Sequence, residues 1–367
     1  MQSNYCYIFK KDLKRRTLGK ECPLFGSAVS GSNPALLVIF IEQEELVMGE
    51  KITVFLGSVL LMFAIPYGIT MLTCGKTLGS TGIKESGILV SYEEAGKNKT
   101  MDLEQYLIGV LAAELPCDYE LETYKTLAVI LRTNARKLAT TEEVVQGSDI
   151  SASYWTDEEW KELRGEVRAE EQKTKIKKAV GDTFGEVLTY QGAYIDALYH
   201  SASMGRTISA AELFGQDIPY LKSVPSEQDI ESKDYIKTCS FSYEELTSLL
   251  AKYDQETKGQ TVDYGLAKEQ FPGNISITEK TESGYAKKLQ IGNVTIAAED
   301  FQKALKLPSL YFSLEAESGA CSIVCLGKGH GMGVSLFGAN VMAKEGKSYK
   351  DILCYYYTGI TLEKIGE

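Results

Sequence analysis

From Ile52 to Cys74 the chain runs ITVFLGSVLLMFAIPYGITMLTC without one charged residue, bracketed by Lys51 and Lys76. At about 1.5 Å of rise per residue, ~20 helical residues cross the ~30 Å hydrocarbon layer. A buried core helix seldom runs this long without a charge, so the run predicts a single membrane-spanning helix. Pro66 is tolerable there, because neighbouring groups satisfy the carbonyl that it frees. Met71, Leu72 and Thr73 before Cys74 offer neither the small residues of a signal-peptidase site nor a good lipid-attachment box. Residues 48–75 are therefore expected to stay as an anchor. Lys10, Lys11, Lys14, Arg15, Arg16 and Lys20 precede the span, and this basic excess keeps the N-terminus in the cytoplasm. Everything after about Gly75 is then outside the cell membrane. Residues 1–47 read as neither a domain nor a typical leader, whereas Met48-Gly-Glu-Lys would be a normal start for a signal-anchored protein. Met48 is thus the expected initiator, and a tryptic peptide spanning Leu46 to Lys51 from native cells would refute that.

With 367 residues, 44% hydrophobic and 24% charged, the chain can bury one large core or two smaller ones. A net charge of -11 argues against a nucleic-acid partner, since such binders set Lys and Arg against phosphates. Only His200 and His330 are histidines, too few for a His-rich metal site, so carboxylates are expected to carry the chemistry. Five cysteines lie beyond the span: Cys117, Cys239, Cys321, Cys325 and Cys354. An odd number is a poor disulfide framework, and isolated buried thiols are the expectation.

The outward part reads as α+β, a mixed α/β domain following the single transmembrane helix. Residues 76–100 are polar and Gly-rich, with a strand-like GILVSY at 87–92, and read as a stalk before a domain at 101–367. Two helical segments come first, then a polar stretch over 141–165, strands around 184–200 and a Gly-rich turn at 203–207. Residues 225–320 mix a helix near 242–253 with strand-like SITEK and KLQIGNVTI, as an insert or second lobe would. A last helix, near 335–346, is set off by glycines.

MDLEQYLIGVLAAELP, residues 101–116, is the most informative segment. Asp102 with Gln105 resembles a capping box, and Leu103, Tyr106, Leu107, Val110 and Leu111 recur at helical spacing. Pro116 disfavours helical geometry at Leu115 and should end the helix. The next member of the stripe is Glu114, a carboxylate on the apolar side of a last helical turn. Apolar surroundings and the negative end of a helix dipole both favour a carboxyl that keeps its proton, which is how Glu serves as a proton donor. A Glu at the edge of the stripe that reaches water is the plainer alternative. In the next helix, LETYKTLAVILRTNARKL, the residues Leu121, Tyr124, Leu127, Leu131 and Leu138 form the apolar side. Lys125 and Arg132, seven apart, share one flank, either beside Glu114 or in solvent.

Three blocks together carry a resemblance. They are LEQYLIGVLAAELP with LETYKTLAVILRTNARK, then ALYHSASMGRTISAAELFGQDIPYLKSV, then GKGHGMGVSLFGANVMAKEGKSYKDILCYYYTGITLEKI. In this order, over roughly residues 90–365, they resemble the stage II sporulation protein D family. The resemblance implies a lytic transglycosylase acting in sporulation engulfment. Such enzymes cut between N-acetylmuramic acid and N-acetylglucosamine in peptidoglycan and leave a 1,6-anhydro end. It implies that Glu114 is the acid and base, and that His200, Ser201, Ser203 and Gly205 lie in the same cleft, although a structural histidine is an alternative for His200. Gly327, Gly329, Gly331 and Gly333 alternate around His330 ahead of the helix at Ser335, as either a sugar-facing loop or a structural turn would.

Some relatives bind zinc through a His and two Cys after the Arg-bearing helix. TTEEVVQGSDISASYWTDEEW here has neither residue type, so neither metal nor other cofactor is expected. The family's substrate is glycan stripped of its stem peptides by a partner amidase, the stage II sporulation protein P. Stripping leaves free lactyl carboxylates, and Lys125, Arg132 or His200 would recognise them. Two alternatives remain: a non-enzymatic activator of a cell-wall amidase, or a hydrolase in which Asp118, Glu212 or Asp217 activates water.

Overall fold

The structure is a computed structural model that describes residues 82–365, apart from 95, 152 and 318. The uncharged run 52–74, the residues before it and Met48 lie outside the described residues. Among the described residues, no helix is long and apolar enough to cross a membrane.

Strands β1 (Leu89–Glu94) and β2 (Lys97–Asp102) form an antiparallel hairpin, and β1 also pairs in parallel with β3 (Val144–Gln146). Val90 is fully buried, so the stretch expected as a stalk is part of the folded body from residue 89 onward. The apolar period of α1 (Leu103–Glu114) begins directly after β2. Asp102 has extended backbone and its carboxylate accepts from the Glu104 N–H at 2.9 Å, with Ser86 and Gly87 N–H at 3.1 and 2.9 Å. A negative charge at this end suits the helix dipole. The helix stops where Pro116 requires, with Leu115 extended at φ -110° and ψ 136°.

Helix α2 (Leu121–Leu138) returns against α1. The Arg132 guanidinium grips Glu104 with two bonds of 2.7 and 2.8 Å, and the Tyr124 hydroxyl donates to the Pro116 carbonyl at 2.8 Å. The polar stretch that follows is folded. After β3 come α3 (Gly147–Ile150) and α4 (Asp157–Arg164), the latter with a complete capping box from Thr156 and Glu159. Helix α5 (Glu166–Asp182) lays Ala169, Gln172, Ile176, Ala179 and Val180 against α1 and α2, an i, i+3, i+7, i+10, i+11 stripe.

Beyond it come β4 (Glu186–Tyr190), β5 (Ala193–Tyr194), β6 (Tyr199–His200) and α6 (Ala210–Phe214). Residues 225–320 contribute β7 (Ile236–Ser242), α7 (Tyr243–Lys258), β8 (Ile275–Lys280), β9 (Ala286–Ile291), β10 (Val294–Ala297), α8 (Ala298–Leu305) and β11 (Phe312–Glu317). The chain closes with β12 (Ala320–Leu326), β13 (Val334–Ser335), α9 (Leu336–Lys344), α10 (Tyr349–Tyr356) and β14 (Thr361–Lys364). Besides β2-β1-β3, the three-stranded sheets among the described residues are ordered β10-β9-β8, β11-β12-β7 and β14-β4-β5.

Apolar residues gather in two clusters. One surrounds α1 and α2, while the other collects Leu246, Leu250, Leu289, Phe301, Phe312 and Ile323 from residues 236–326. Leu198 packs on both. The segment that follows it, β6, lies where the two meet and pairs in parallel with β13.

Candidate active site

Glu114 is the last residue of α1 and is half-buried. The Ser151 hydroxyl, just beyond α3, donates to Glu114 Oε1 at 3.0 Å. Ser151 is itself buried, and its oxygen accepts from the Ser153 N–H at 3.1 Å and the Tyr199 hydroxyl at 3.5 Å. The Ser153 carbonyl at 3.3 Å is a second acceptor for the Ser151 hydroxyl, and the Glu114 carboxylate is the nearer of the two. Burial raises the pKa of the Tyr199 phenol well above its ordinary value, and the Glu114 charge raises it further. The phenol therefore stays a donor at neutral pH.

The segment carrying Ser151 is held on α1 by close packing. Tyr154 stacks on Tyr106 with ring centroids 4.9 Å apart, and the Trp155 N–H reaches the Gly109 carbonyl at 3.2 Å. Gly109 is required there, because a Cβ would stand 2.6 Å from the Trp155 carbonyl oxygen. The turn after Glu114 is fixed from α5. The Gln172 amide donates to the Leu115 carbonyl and to the Tyr124 hydroxyl oxygen, each at 2.9 Å, and its oxygen accepts from Trp160 Nε1 at 3.0 Å.

Tyr199 sits on β6 beside His200. His200 is buried; its Nδ1–H donates to the Met332 carbonyl at 2.9 Å, and Nε2 has no partner among the described residues. The His330 ring lies 5.9 Å away and accepts at Nδ1 from the Met332 N–H at 3.1 Å. Burial lowers both imidazoles from 6.5 to about 4, with His200 adding to the effect on His330. Both rings are neutral at neutral pH. Gly327, Gly329, Gly331 and Gly333 all have positive φ, from 68° to 107°. A Cβ on Gly327 would stand 2.7 Å from the Ala202 oxygen, and one on Gly329 2.7 Å from His200 Cβ. Gly327, Gly329 and Gly333 thus allow backbone approach to residues 198–203, while a Cβ on Gly331 would stand 2.5 Å from the Tyr285 hydroxyl oxygen.

Ser203 and Ser335 meet a residue that the sequence reading did not single out. Asp229, fully buried in the short turn Glu227–Glu231, accepts from the Ser203 N–H at 2.7 Å, the Ser203 hydroxyl at 2.6 Å and the Ser335 hydroxyl at 2.8 Å. Burial pushes the Asp229 carboxyl up, and the serine hydrogen bonds oppose the shift. Ser335 also caps α9 through the Gly338 N–H at 3.1 Å. Gly205, at φ 106°, donates its N–H to the Ser203 oxygen at 3.3 Å. Ser201 is half-buried and engaged through its backbone to Lys328 and Phe337. These serines and Gly205 form the frame that holds β6 and β13 in place.

A family model described as "Stage II sporulation protein" matches residues 91–190, the part that carries Glu114 and Ser151. The chain is 31% identical over 294 residues to stage II sporulation protein D of Bacillus amyloliquefaciens, covering 77% of this chain and 80% of that protein. This chain belongs to the stage II sporulation protein D family. The Bacillus subtilis protein of the same name is also 31% identical, over 78% of this chain and 82% of its own. An amidase enhancer of Bacillus subtilis is 24% identical over 70% of this chain and 40% of that protein.

In this member of the stage II sporulation protein D family, the expected cationic flank is spent internally. Arg132 has no exposed side-chain surface and, besides gripping Glu104, donates to the Glu186 carbonyl at 3.3 Å. Lys125 pairs with Glu122 at 2.9 Å and Asp182 at 3.1 Å, and lies over the Tyr349 ring. Neither is placed to read a carboxylate beside Glu114. That expectation is corrected: the partners of the flank come from other elements, which periodicity does not reveal. Among the described residues, no group of three or more His, Cys, Asp or Glu is arranged to hold a metal. The fold brings Ser151 and Tyr199 to Glu114, and His200 follows Tyr199 on β6 with the His330 ring 5.9 Å from its own.

Proposed function

We propose that this family member is a membrane-anchored lytic transglycosylase, facing outward and cleaving peptide-stripped peptidoglycan glycan strands during engulfment. The observation that carries the reading is Glu114 at a helix end with Oε1 held by Ser151. Glu114 first protonates the glycosidic oxygen of the leaving N-acetylglucosamine. The 6-hydroxyl of the muramic acid then attacks its own anomeric carbon, and the Glu114 carboxylate takes that hydroxyl's proton, closing the 1,6-anhydro ring. Ordinary glycosidases need a second carboxylate for water or covalent attack; here the substrate supplies the nucleophile. The candidates for a water-activating second carboxylate are engaged or turned outward. Glu212 binds the Ser283 N–H and hydroxyl, Asp217 pairs with Lys222, and Asp118 is exposed.

The name of the amidase enhancer favours a second reading, a non-enzymatic activator of a wall amidase. Product masses separate the readings. Full-length protein in non-ionic detergent, given peptide-free strands, should release ends one water lighter than reducing ends, and Glu114→Gln should slow this by at least ~100-fold. Reducing ends would identify a hydrolase. No cleavage, together with stimulation of an amidase, would identify an activator. The substrate-supplying partner in this reading is an amidase of the stage II sporulation protein P type. The anchor proposal rests on the uncharged run 52–74: the protein should fractionate with membranes and be cut beyond residue 76 by protease added outside. Protection of that part would overturn the topology.

A further inference from the structure

On a chain of net charge -11, one cavity of about 160 Å³ is lined by Lys233, Lys237 and Lys328 with Ile236, Pro308 and Asp234. Among the described residues, the lining sets three lysines against one carboxylate, Asp234, which pairs with Lys328 at 3.7 Å. Among the described residues, Lys233 and Lys237 have no acidic partner, and both are exposed. Ile236, between them in sequence, is 62% exposed. The cavity is therefore cationic with an apolar wall.

Its position ties it to the site above. Lys328 belongs to the Gly-rich turn and exchanges backbone hydrogen bonds with Ala202, at 3.1 and 2.7 Å. Ala202 is three residues from Tyr199, so the extended chain between them spans at most about 11 Å. Tyr199 in turn contacts Ser151, which holds Glu114.

We propose that this cavity binds a free lactyl carboxylate of the glycan strand, on a sugar other than the pair being cut. The inference rests on the transglycosylase reading for its substrate. A stripped strand repeats the carboxylate once per disaccharide, so one strand can present one ring to Glu114 and a more distant carboxylate to the lysines. The lactyl methyl group suits Ile236 and Pro308, while the carboxylate takes charge-assisted bonds from the ammonium groups. Amide-linked stem peptides remove that charge, which gives a physical basis for preferring stripped strands.

The test reads binding without turnover, using full-length protein in detergent, in a Glu114→Gln background. The probes are stripped strands and the same strands with their lactyl carboxyls converted to methylamides. The parent should bind stripped strands about tenfold more tightly, with the difference shrinking as salt is raised. Lys233→Ala/Lys237→Ala should bind both probes alike and melt at an unchanged temperature, because both side chains are exposed. Lys233→Arg/Lys237→Arg, which keeps the charges, should retain the preference. Equal binding of the two probes by the parent, or a preference that survives in the double Ala variant, overturns the proposal. A wild-type protein that cuts nothing would sink the transglycosylase reading and leave this binding result standing.

Discussion

At the scale of single residues, the chemistry depends on what surrounds one carboxylate. Ser151 orients Glu114 and is itself oriented by Ser153 and Tyr199. Removing the hydroxyl takes away its hydrogen bond to Glu114, worth ~0.5–1.5 kcal/mol, together with the bonds it accepts from Ser153 and Tyr199. Where that bond positions a proton, about tenfold in rate corresponds to ~1.4 kcal/mol. Ser151→Ala should therefore lower kcat on glycan strands by up to about tenfold with KM little changed, and Ser151→Thr should recover most of the loss. An unchanged kcat in the Ala variant would remove Ser151 from this role.

At the scale of elements, the hairpin of α1 and α2 is what brings Glu114 into place. Its distant end is closed by the fully buried pair of Glu104 and Arg132. Removing one member of such a pair leaves an uncompensated charge and typically costs ~3–5 kcal/mol, whereas replacing both by apolar groups of similar size is often neutral. Arg132→Ala should therefore lower the melting temperature sharply, and Glu104→Leu/Arg132→Met should restore much of it. If Arg132→Ala instead kept its melting temperature and raised only KM for stripped strands, Arg132 would be a substrate-reading residue. Asp229 ties the segment after β6 to the cap of α9 through two serines.

At the scale of the whole molecule, the buried imidazoles make stability depend on pH. His200 titrates near 6.5 when unfolded and near about 4 when folded, because burial penalises its charge. Between these values the unfolded chain binds the extra proton, so stability rises with pH. The contribution is complete above about pH 6.5 and is lost as the pH falls toward 4, by ~1.4 kcal/mol per unit for this one group. Urea unfolding followed from pH 7 to pH 4 should show at least that slope, and His200→Asn should lessen it by this one group's share while His330, likewise lowered to about 4, keeps its own. A variant with the same slope as wild type would assign the acid sensitivity to other groups.

The sequence alone determined whatever depends on local conformation and on which face of an element is apolar. It marked the uncharged run, the period of α1 and its end at Pro116, the glycine alternation, and the three blocks that carry the family. It also placed Glu114 at the end of an apolar stripe. Tertiary structure decided which polar groups oppose one another. Ser151 lies 37 residues from Glu114, and Asp229 lies 26 residues from Ser203 and 106 from Ser335. A serine in a polar stretch and an aspartate in a short turn read as solvated, because nothing in their neighbours records the surface that later covers them. Lys125 and Arg132 looked available for the same reason. Asp182 and Glu104, the carboxylates that neutralise them, lie on α5 and α1, and only the packing of those helices against α2 brings the charges together.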